Sequence, residues 1–373
     1  MQVLRAFRSN LLRWFESTRR PLPWRERRTP YRVWVSELML QQTRADQAIP
    51  YYHRFLRRFP TLKALAAAPR HDVLKLWEGL GYYARAVRAH ETARRLVAQH
   101  RGRFPDTLEG LLALPGIGPY TAAAVGSLAF GLDAAVVDGN VARVLSRVFV
   151  YGGDIQTVAG KRWMQELAQA LLPKGRAGEF NEAMMELGAM VCAPRGPRCP
   201  ACPLRRVCAA AAEGDPEQYP VKRKKKSVPH KRVGAGIVAD RRGRFLIAQR
   251  KEGSMLGGLW EFPGGTLEDG ETMEACIARE LKEELGIDVE VGKHVITVRH
   301  AFSHFTMDLH AHACRLESGR PRAIHCAAWK WVTLAELRRY PFGRADVKII
   351  DALFSRDWKM RGGISQSLEK RRA

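Results

Sequence analysis

Acidic side chains are scarce in this chain. Its 373 residues hold 38 Asp and Glu against 62 Lys and Arg, a formal net charge of +24. That imbalance excludes an acidic, self-repelling disordered protein and argues against a plain metabolic enzyme of small anions. It points first to a nucleic-acid partner, because Lys and Arg gain free energy by releasing phosphate counterions. A general basic bias of the proteome is the alternative. Long hydrophobic runs are also missing. No stretch approaches the ~20 apolar residues of a membrane helix, so no membrane partner is expected. Cysteine is sparse, with seven residues in all. An odd count without a secretory signal leads to the expectation of a reducing compartment. Near the start, Val3, Leu4, Phe7, Leu11, Leu12 and Phe15 are interrupted by Arg5, Arg8 and Arg13. This is the spacing of a surface helix and not of a signal peptide.

What is present is apolar material, 46% of residues, ample for more than one core. The pattern predicts a multidomain chain. Residues 1–212 read as helical almost throughout, with breaks at Pro50, Pro60, Pro69, Gly102 to Pro105 and Gly152-Gly153. Residues 213–232 read as a solvated linker, acidic at Glu213, Asp215 and Glu217 and strongly basic from Lys222 to Lys226. Residues 233–356 change to short strand-like runs (Gly236–Val238, Phe245–Ala248, Val289–Val298) around one helix, about Met273 to Leu285, which predicts an α+β domain. The basic tail, 357–373, is expected to fray.

Four of the cysteines, Cys192, Cys199, Cys202 and Cys208, form C-x6-C-x2-C-x5-C, with Pro200 and Pro203 preventing a single helix. Four thiolates on a tight irregular loop can surround a soft metal centre. Three readings stay open on spacing alone: disulfides, which the missing secretory signal disfavours; a zinc site, which usually pairs two C-x2-C hooks; and a [4Fe–4S] cluster, which accommodates uneven spacing. Upstream, Leu111 to Ala122 reads as a helix end, a turn at Gly116 and Gly118, and a new helix. The glycines allow close backbone approach, and the helix N-terminus offers free N–H groups to a phosphate. The string resembles the helix–hairpin–helix that grips a DNA strand without reading its sequence. A plain turn between helices is the alternative.

The hairpin, then Val136-Val137-Asp138-Gly139-Asn140-Val141, then the four-cysteine spacing resemble the helix–hairpin–helix DNA glycosylases with an iron–sulfur cluster. Val35–Thr43, Gly79-Leu80-Gly81-Tyr82-Tyr83 and Phe180–Met185 are similar to the adenine DNA glycosylases of the MutY type. The match is dense over residues 1–210 and returns at Arg299–Phe305. The resemblance implies an all-α glycosylase domain with a [4Fe–4S] loop, followed by an α+β Nudix-like domain. It also implies removal of adenine opposite 8-oxoguanine or guanine in double-stranded DNA.

Glu37 lies among Val33, Trp34, Val35, Leu38, Met39 and Leu40. On a helix, Val33, Trp34 and Leu40 share its face. A carboxyl there is poorly solvated, its pKa rises, and it suits a general acid for a purine leaving group; a charge turned to solvent is the alternative. Asp138 follows an apolar run and reads either as an N-cap or, by resemblance, as the carboxylate that stabilises the developing sugar cation, with Asn140 as its hydrogen-bonding support. Relatives that also cleave the strand carry a lysine where this chain has Tyr120. Tyrosine forms no imine, so base removal without a lyase step is expected. The resemblance further implies that Tyr120 helps position Glu37 and Asp138. It makes Gln42 and Tyr82 wedges for an extruded nucleotide, Trp24, Arg25 and Glu182 the adenine pocket, and Phe302-Ser303-His304 the 8-oxoguanine reader.

Downstream, Gly265-x5-Glu271-x7-Arg279-Glu280-Leu281-x-Glu283-Glu284-x-Gly286-Ile287, preceded by Gly264, is a complete Nudix box. Glu280, Glu283 and Glu284 share one helix face and suit a hard cation such as Mg²⁺. The box is usually eroded in the resembled family. Two readings stay open: a retained scaffold, or a second, Mg²⁺-dependent hydrolase. A different enzyme class, a Nudix pyrophosphohydrolase of oxidised nucleotides with a DNA-binding appendage, is the rival for the whole chain. A monomer in the cytoplasm, associated with the nucleoid, is expected.

Overall fold

The computed structural model describes residues 2–221 and 227–355. The basic run Lys222–Lys226 and the tail 357–373 lie outside the described residues. The chain divides into two compact units, Met1–Ala67 with Arg88–Lys225, and Ala68–Val87 with Lys226–Ala373. Residues 68–87 therefore group with the C-terminal region, a discontinuity that no shift of composition announces.

The first unit is helical. Helix α1 (Gln2–Thr18) buries Phe7, Leu11, Leu12 and Phe15, a stripe at three- and four-residue steps. The stripe shares a core with Val141, Leu145, Phe180 and Leu187 from later helices. Arg8 caps a neighbouring helix end: its guanidinium donates to the carbonyls of Ala170, Leu171 and Leu172 at 2.8–3.0 Å. The break expected at Pro50 does not occur. Pro50 lies inside the helix Ala45–Arg58, where burial of Ala48, Tyr52 and Phe55 outweighs the one backbone bond that proline cannot make. Helices α2 (Pro30–Leu40), α3 (Arg70–Trp77, in the second unit), α4 (Ala84–Gln99, shared by both), α5 (Leu108–Leu112), α6 (Pro119–Phe130), α7 (Gly139–Val148) and α8 (Ala177–Met190) matter for the site.

The second unit is built on a mixed six-stranded sheet. Its strands are β1 (His230–Ala239), β2 (Phe245–Gln249), β3 (Trp260–Glu261), β4 (Asp288–Ala301), β5 (Thr306–Ser318) and β6 (Ala328–Val332). The order is β3-β2-β1-β5-β4 with β6 also on β2, and only β1 and β5 run parallel. Strand β1 begins inside the expected linker. Alternation divides the sheet between two cores. Helix α9 (Met273–Leu285) packs Ile277, Leu281 and Leu285 against Val238 and Leu246. Helix α10 (Arg344–Phe354) packs Ile349 and Leu353 against Ile237 and Ile247. Gly234 permits the first contact, since a Cβ there would lie 2.6 Å from Ile277. Helix α10 was not expected, although Ala345, Ile349, Ile350 and Leu353 have helical spacing.

Leu11 is fully buried, whereas Val3 on the same helix is 60% exposed. Leu11→Ala should cost about 3 kcal/mol in urea unfolding, and Val3→Ala less than about 0.5 kcal/mol.

Candidate active site

Helix α2 opens at Pro30, and the Thr29 hydroxyl caps it by accepting from the Arg32 amide at 3.3 Å. Nearly every residue from Tyr31 to Met39 is buried, and that packing carries Glu37 inside, 4% exposed. Burial pushes its carboxyl up to about 7, although the Tyr120 hydroxyl donates to Oε2 at 2.8 Å and pulls the other way; Asp138 and Glu182 push in the same direction as burial. Tyr120 stands in the first turn of α6, behind Gly118 and Pro119. Burial, then the charge of Glu37, raise its own phenol well above the ordinary value.

Asp138 is the N-cap of α7: Oδ1 accepts from the Val141 amide at 2.7 Å and Oδ2 from Asn140 Nδ2 at 2.8 Å. Burial raises its pKa, and those N–H donors oppose the rise. Capping and chemistry are therefore compatible, because the carboxylate anchors the helix while facing the same cleft as Glu37.

That cleft has a volume of about 1180 Å³. It gathers Trp24, Arg25, Glu37, Gln42, Tyr120, Asp138, Asn140 and Glu182 from five separate stretches of chain. Trp24 is buried edge-on to Tyr52 at 5.5 Å. Gln42 is exposed at the rim, with an unusual φ of +57°. Glu182 accepts from Arg25 Nε at 3.2 Å and Arg28 Nη2 at 2.6 Å. One turn on, Glu186 accepts from Arg20 at 2.8 Å and Arg25 at 3.2 Å. Burial works against the Glu186 charge, yet the Arg20 and Arg25 donors hold its carboxyl below the ordinary range. Arg20, Arg28 and Glu186 were not singled out from sequence, where they are charges among many.

Gly116 has φ +73°, and a Cβ there would come within 2.7 Å of Arg88 Cβ. Gly118 is exposed at the start of α6. These two form the hairpin and do not line the cleft.

Cys192, Cys199, Cys202 and Cys208 are free thiols around one small cavity of about 20 Å³, shared with Val144, Leu187 and Leu204. Burial pushes Cys202 up to about 12, so a thiolate there needs a positive centre beside it. Two arginines of α7, which sequence reasoning missed, tie this loop to the cleft. Arg143 donates to Asn140 Oδ1 at 2.9 Å and to Cys192 O at 2.8 Å. The fully buried Arg147 donates to Cys192 Sγ at 3.3 Å and Ala193 O at 2.7 Å. Among the described residues no group of His, Cys, Asp or Glu is arranged to hold a single metal ion. A four-thiolate set in one apolar cavity has the chemistry that a larger iron–sulfur centre requires.

In the second unit, Gly264 N–H donates to Glu284 Oε2 at 3.3 Å, and the Glu280 carboxyl rests on Gly265, where a Cβ would lie 2.1 Å away. Arg279 pairs with Glu271 at 2.9 Å, Glu280 at 3.1 Å and Glu283 at 3.5 Å. Burial pushes Glu284 up to about 7. Two acids not foreseen, Glu261 and Asp346, are half-buried close by and raised to about 8 and about 6, chiefly by loss of solvent. Ser303 and His304 are exposed at the β4–β5 hairpin tip, with Phe302 half-buried behind them and its ring 4.6 Å from that of Phe305.

A family model described as the HhH-GPD superfamily of base excision DNA repair proteins matches residues 35–173, and a NUDIX domain model matches residues 234–352. The adenine DNA glycosylase of Rattus norvegicus is 35% identical over an alignment covering 92% of this chain and 77% of the rat protein. That of Buchnera aphidicola subsp. Acyrthosiphon pisum (strain APS) is 35% identical, covering 83% of this chain and 87% of the relative. A solved thermostable thymine-DNA glycosylase superposes with a TM-score of 0.52 at 33% identity, covering 57% of this chain and 98% of that one.

The raised Glu37 carboxyl has a stability consequence. Its folded pKa of about 7 exceeds the ordinary 4.5, so its protonation stabilises the fold fully below pH ~4.5 and this contribution is lost as pH rises through ~7. Glu37→Gln should therefore gain stability over the parent at pH 8, by at most about 3 kcal/mol, with a much smaller difference at pH 5. Unfolding curves at the two pH values check this.

Proposed function

The chain belongs to the family of adenine DNA glycosylases, and from that premise we propose that its substrate is adenine mispaired with 8-oxoguanine or guanine in duplex DNA. As a DNA glycosylase of base excision repair it breaks the bond between base and sugar. The observation that carries the mechanism is Glu37, buried, hydrogen-bonded by Tyr120 and facing the same cleft as Asp138.

Basic surface and the Gly116–Gly118 hairpin hold phosphates without reading sequence. The adenine leaves the stack for the cleft, against Trp24, Arg25 and Glu182. Glu37, about half protonated near neutral pH, hands its proton to a ring nitrogen of the base. The C1′–N9 electron pair departs with the base, and the sugar becomes oxocarbenium-like. The Asp138 carboxylate, whose charge the Val141 and Asn140 N–H donors favour against burial, stabilises that cation. Water adds at C1′ and returns its proton to a carboxylate. Tyr120 provides no amine, so no imine forms and the strand stays intact.

Cys192, Cys199, Cys202 and Cys208 would hold a [4Fe–4S] cluster that orders the loop bearing the exposed Arg195, Arg198, Arg205 and Arg206. Phe302, Ser303 and His304 would read the opposite base. A second reading, a Mg²⁺-dependent hydrolase at Glu280, Glu283 and Glu284, is favoured by one observation: Glu284 accepts from Gly264 and Glu280 rests on Gly265, with Glu283 on the same helix.

Crossed variants separate these activities. Glu37→Gln should lower single-turnover adenine release by ~10²–10⁴-fold and leave any hydrolysis of an oxidised nucleoside triphosphate unchanged, while Glu283→Gln should do the reverse. Nucleotide hydrolysis lost in Glu283→Gln, with no adenine release for Glu37→Gln to affect, would favour the pyrophosphohydrolase rival. The product strand should break only after alkali, and scission without alkali would contradict the role given to Tyr120. Duplex binding should fall by roughly 10³-fold between 50 and 200 mM salt if six phosphates are contacted.

A further inference from the structure

Tyr82 is 47% exposed, in contrast to its neighbours Leu80 and Tyr83, which are buried. It sits at the end of a tight turn, with φ of +91° at Gly79, +79° at Gly81 and +49° at Tyr82 itself. A tyrosine in the left-handed region persists only where its surroundings over-determine it. Part of that constraint comes from below. Trp77 Nε1 and Arg85 Nη2 both donate to the Gly81 carbonyl, at 3.0 and 2.9 Å. The buried Arg85 guanidinium lies 5.5 Å from the centre of the Tyr82 ring.

The rest comes from residues more than 250 positions away in sequence, within the same compact unit. The Tyr83 hydroxyl donates to the Phe342 carbonyl at 2.9 Å and accepts from the Gly79 amide at 3.2 Å. The Phe342 amide donates to Glu78 Oε1 at 2.9 Å. Both backbone groups of Phe342 are thus taken by the residues that flank the turn. Lys75 joins the same clamp, donating to Glu78 at 2.5 Å and to the Tyr340 carbonyl at 2.9 Å. Phe342 is itself fixed. Its ring is fully buried and stacks on Phe262 at 6.0 Å, and the preceding Pro341 carbonyl accepts from Trp260 N–H at 2.8 Å.

We propose that the Glu78–Phe342–Tyr83 clamp is a positioning device through which the C-terminal α/β module sets the Tyr82 ring as a stacking wedge, and so governs the rate of base extrusion whatever base lies opposite. The chemistry is that of an exposed aromatic ring filling a gap in a base stack, which works only if the ring does not yield. The module then has a use independent of its hairpin at Phe302–His304 and of its carboxylate face. This inference rests on the adenine-excision reading. The two fail differently: a parent protein that releases no adenine defeats that reading, whereas the inference is defeated by a parent that does release adenine and ignores the clamp.

The test uses the full chain and a duplex with 2-aminopurine in place of the target adenine, opposite either guanine or 8-oxoguanine, followed by stopped-flow fluorescence. Tyr83→Phe removes one hydroxyl and keeps the ring. Glu78→Ala removes the acceptor for Phe342, and Glu78→Gln restores a neutral one. Tyr83→Phe and Glu78→Ala should slow the fluorescence rise about tenfold by the same factor for both opposing bases, as Tyr82→Ala should, while Glu78→Gln recovers most of the rate. Duplex affinity should change less than about twofold. A parental rate in Tyr83→Phe and Glu78→Ala, a slowing confined to 8-oxoguanine, or a parental rate in Tyr82→Ala would overturn the proposal. Should Tyr83→Phe lower the melting temperature by more than about 5 °C, the Glu78 pair decides: recovery by Gln supports the clamp, and equal rates for Ala and Gln overturn it.

Discussion

One carboxyl group deprived of water sets the terms for the rest of the helical unit. Glu37 belongs to a helix packed on nearly all sides, and its carboxyl accepts a hydrogen bond from the Tyr120 phenol. A fully solvated glutamate is ionised at neutral pH and cannot act as an acid there. A buried one with many donors is ionised as well, because hydrogen bonds favour the charged form. Burial with a single hydroxyl partner leaves the group balanced near neutrality. Burial raises the Asp138 pKa as well, but more donors oppose the rise there. Two N–H donors and a helix N-terminus support its charge. Two acids in one cleft thereby differ in how far hydrogen bonds support their charge, which is the difference the proposed proton donor and anion require.

Helix α7 links this separation to a distant loop. Asp138 caps its start, and its arginines at 143 and 147 reach back to Asn140 and out to the backbone around Cys192. The cysteine loop is therefore mechanically continuous with the Asp138 carboxylate. Disordering the loop would remove the Cys192 carbonyl from Arg143, one of the contacts that orient its guanidinium behind Asn140. This gives the four thiols a structural consequence at the cleft without any electron transfer to the base.

Much of this was legible in the residues, for physical reasons that differ by position. The burial of Glu37 followed from Val33 and Trp34 at helical spacing, since a stripe that must be buried carries its neighbours with it. Helix α9 was legible from its threonine cap, its period and Gly286 beyond its end. Asp138 was legible only as two competing roles, and the structure shows that one carboxylate serves as cap while facing the cleft. Other features depend on tertiary distance and leave no local trace. Glu186 pairs with Arg20 across 166 positions, and in a chain so rich in arginine no pattern selects that partner. Residues 68–87 look like any helix and turn, yet side chains at 78 and 83 bind the backbone of Phe342. Pro50 reads as a break because local propensity opposes helix, but the surrounding packing carries the helix through.

The central claim is that Glu37 delivers a proton from a carboxyl balanced near neutrality by burial and by Tyr120. Its most direct test is the pH dependence of single-turnover adenine release, for the parent and for Tyr120→Phe. The account predicts that the parent rate falls as pH rises through about 7, and that the fall moves to higher pH in Tyr120→Phe, because the lost hydrogen bond had favoured the ionised form. A rate independent of pH between ~5 and ~9, or a fall that stays in place when the Tyr120 hydroxyl is removed, would contradict it.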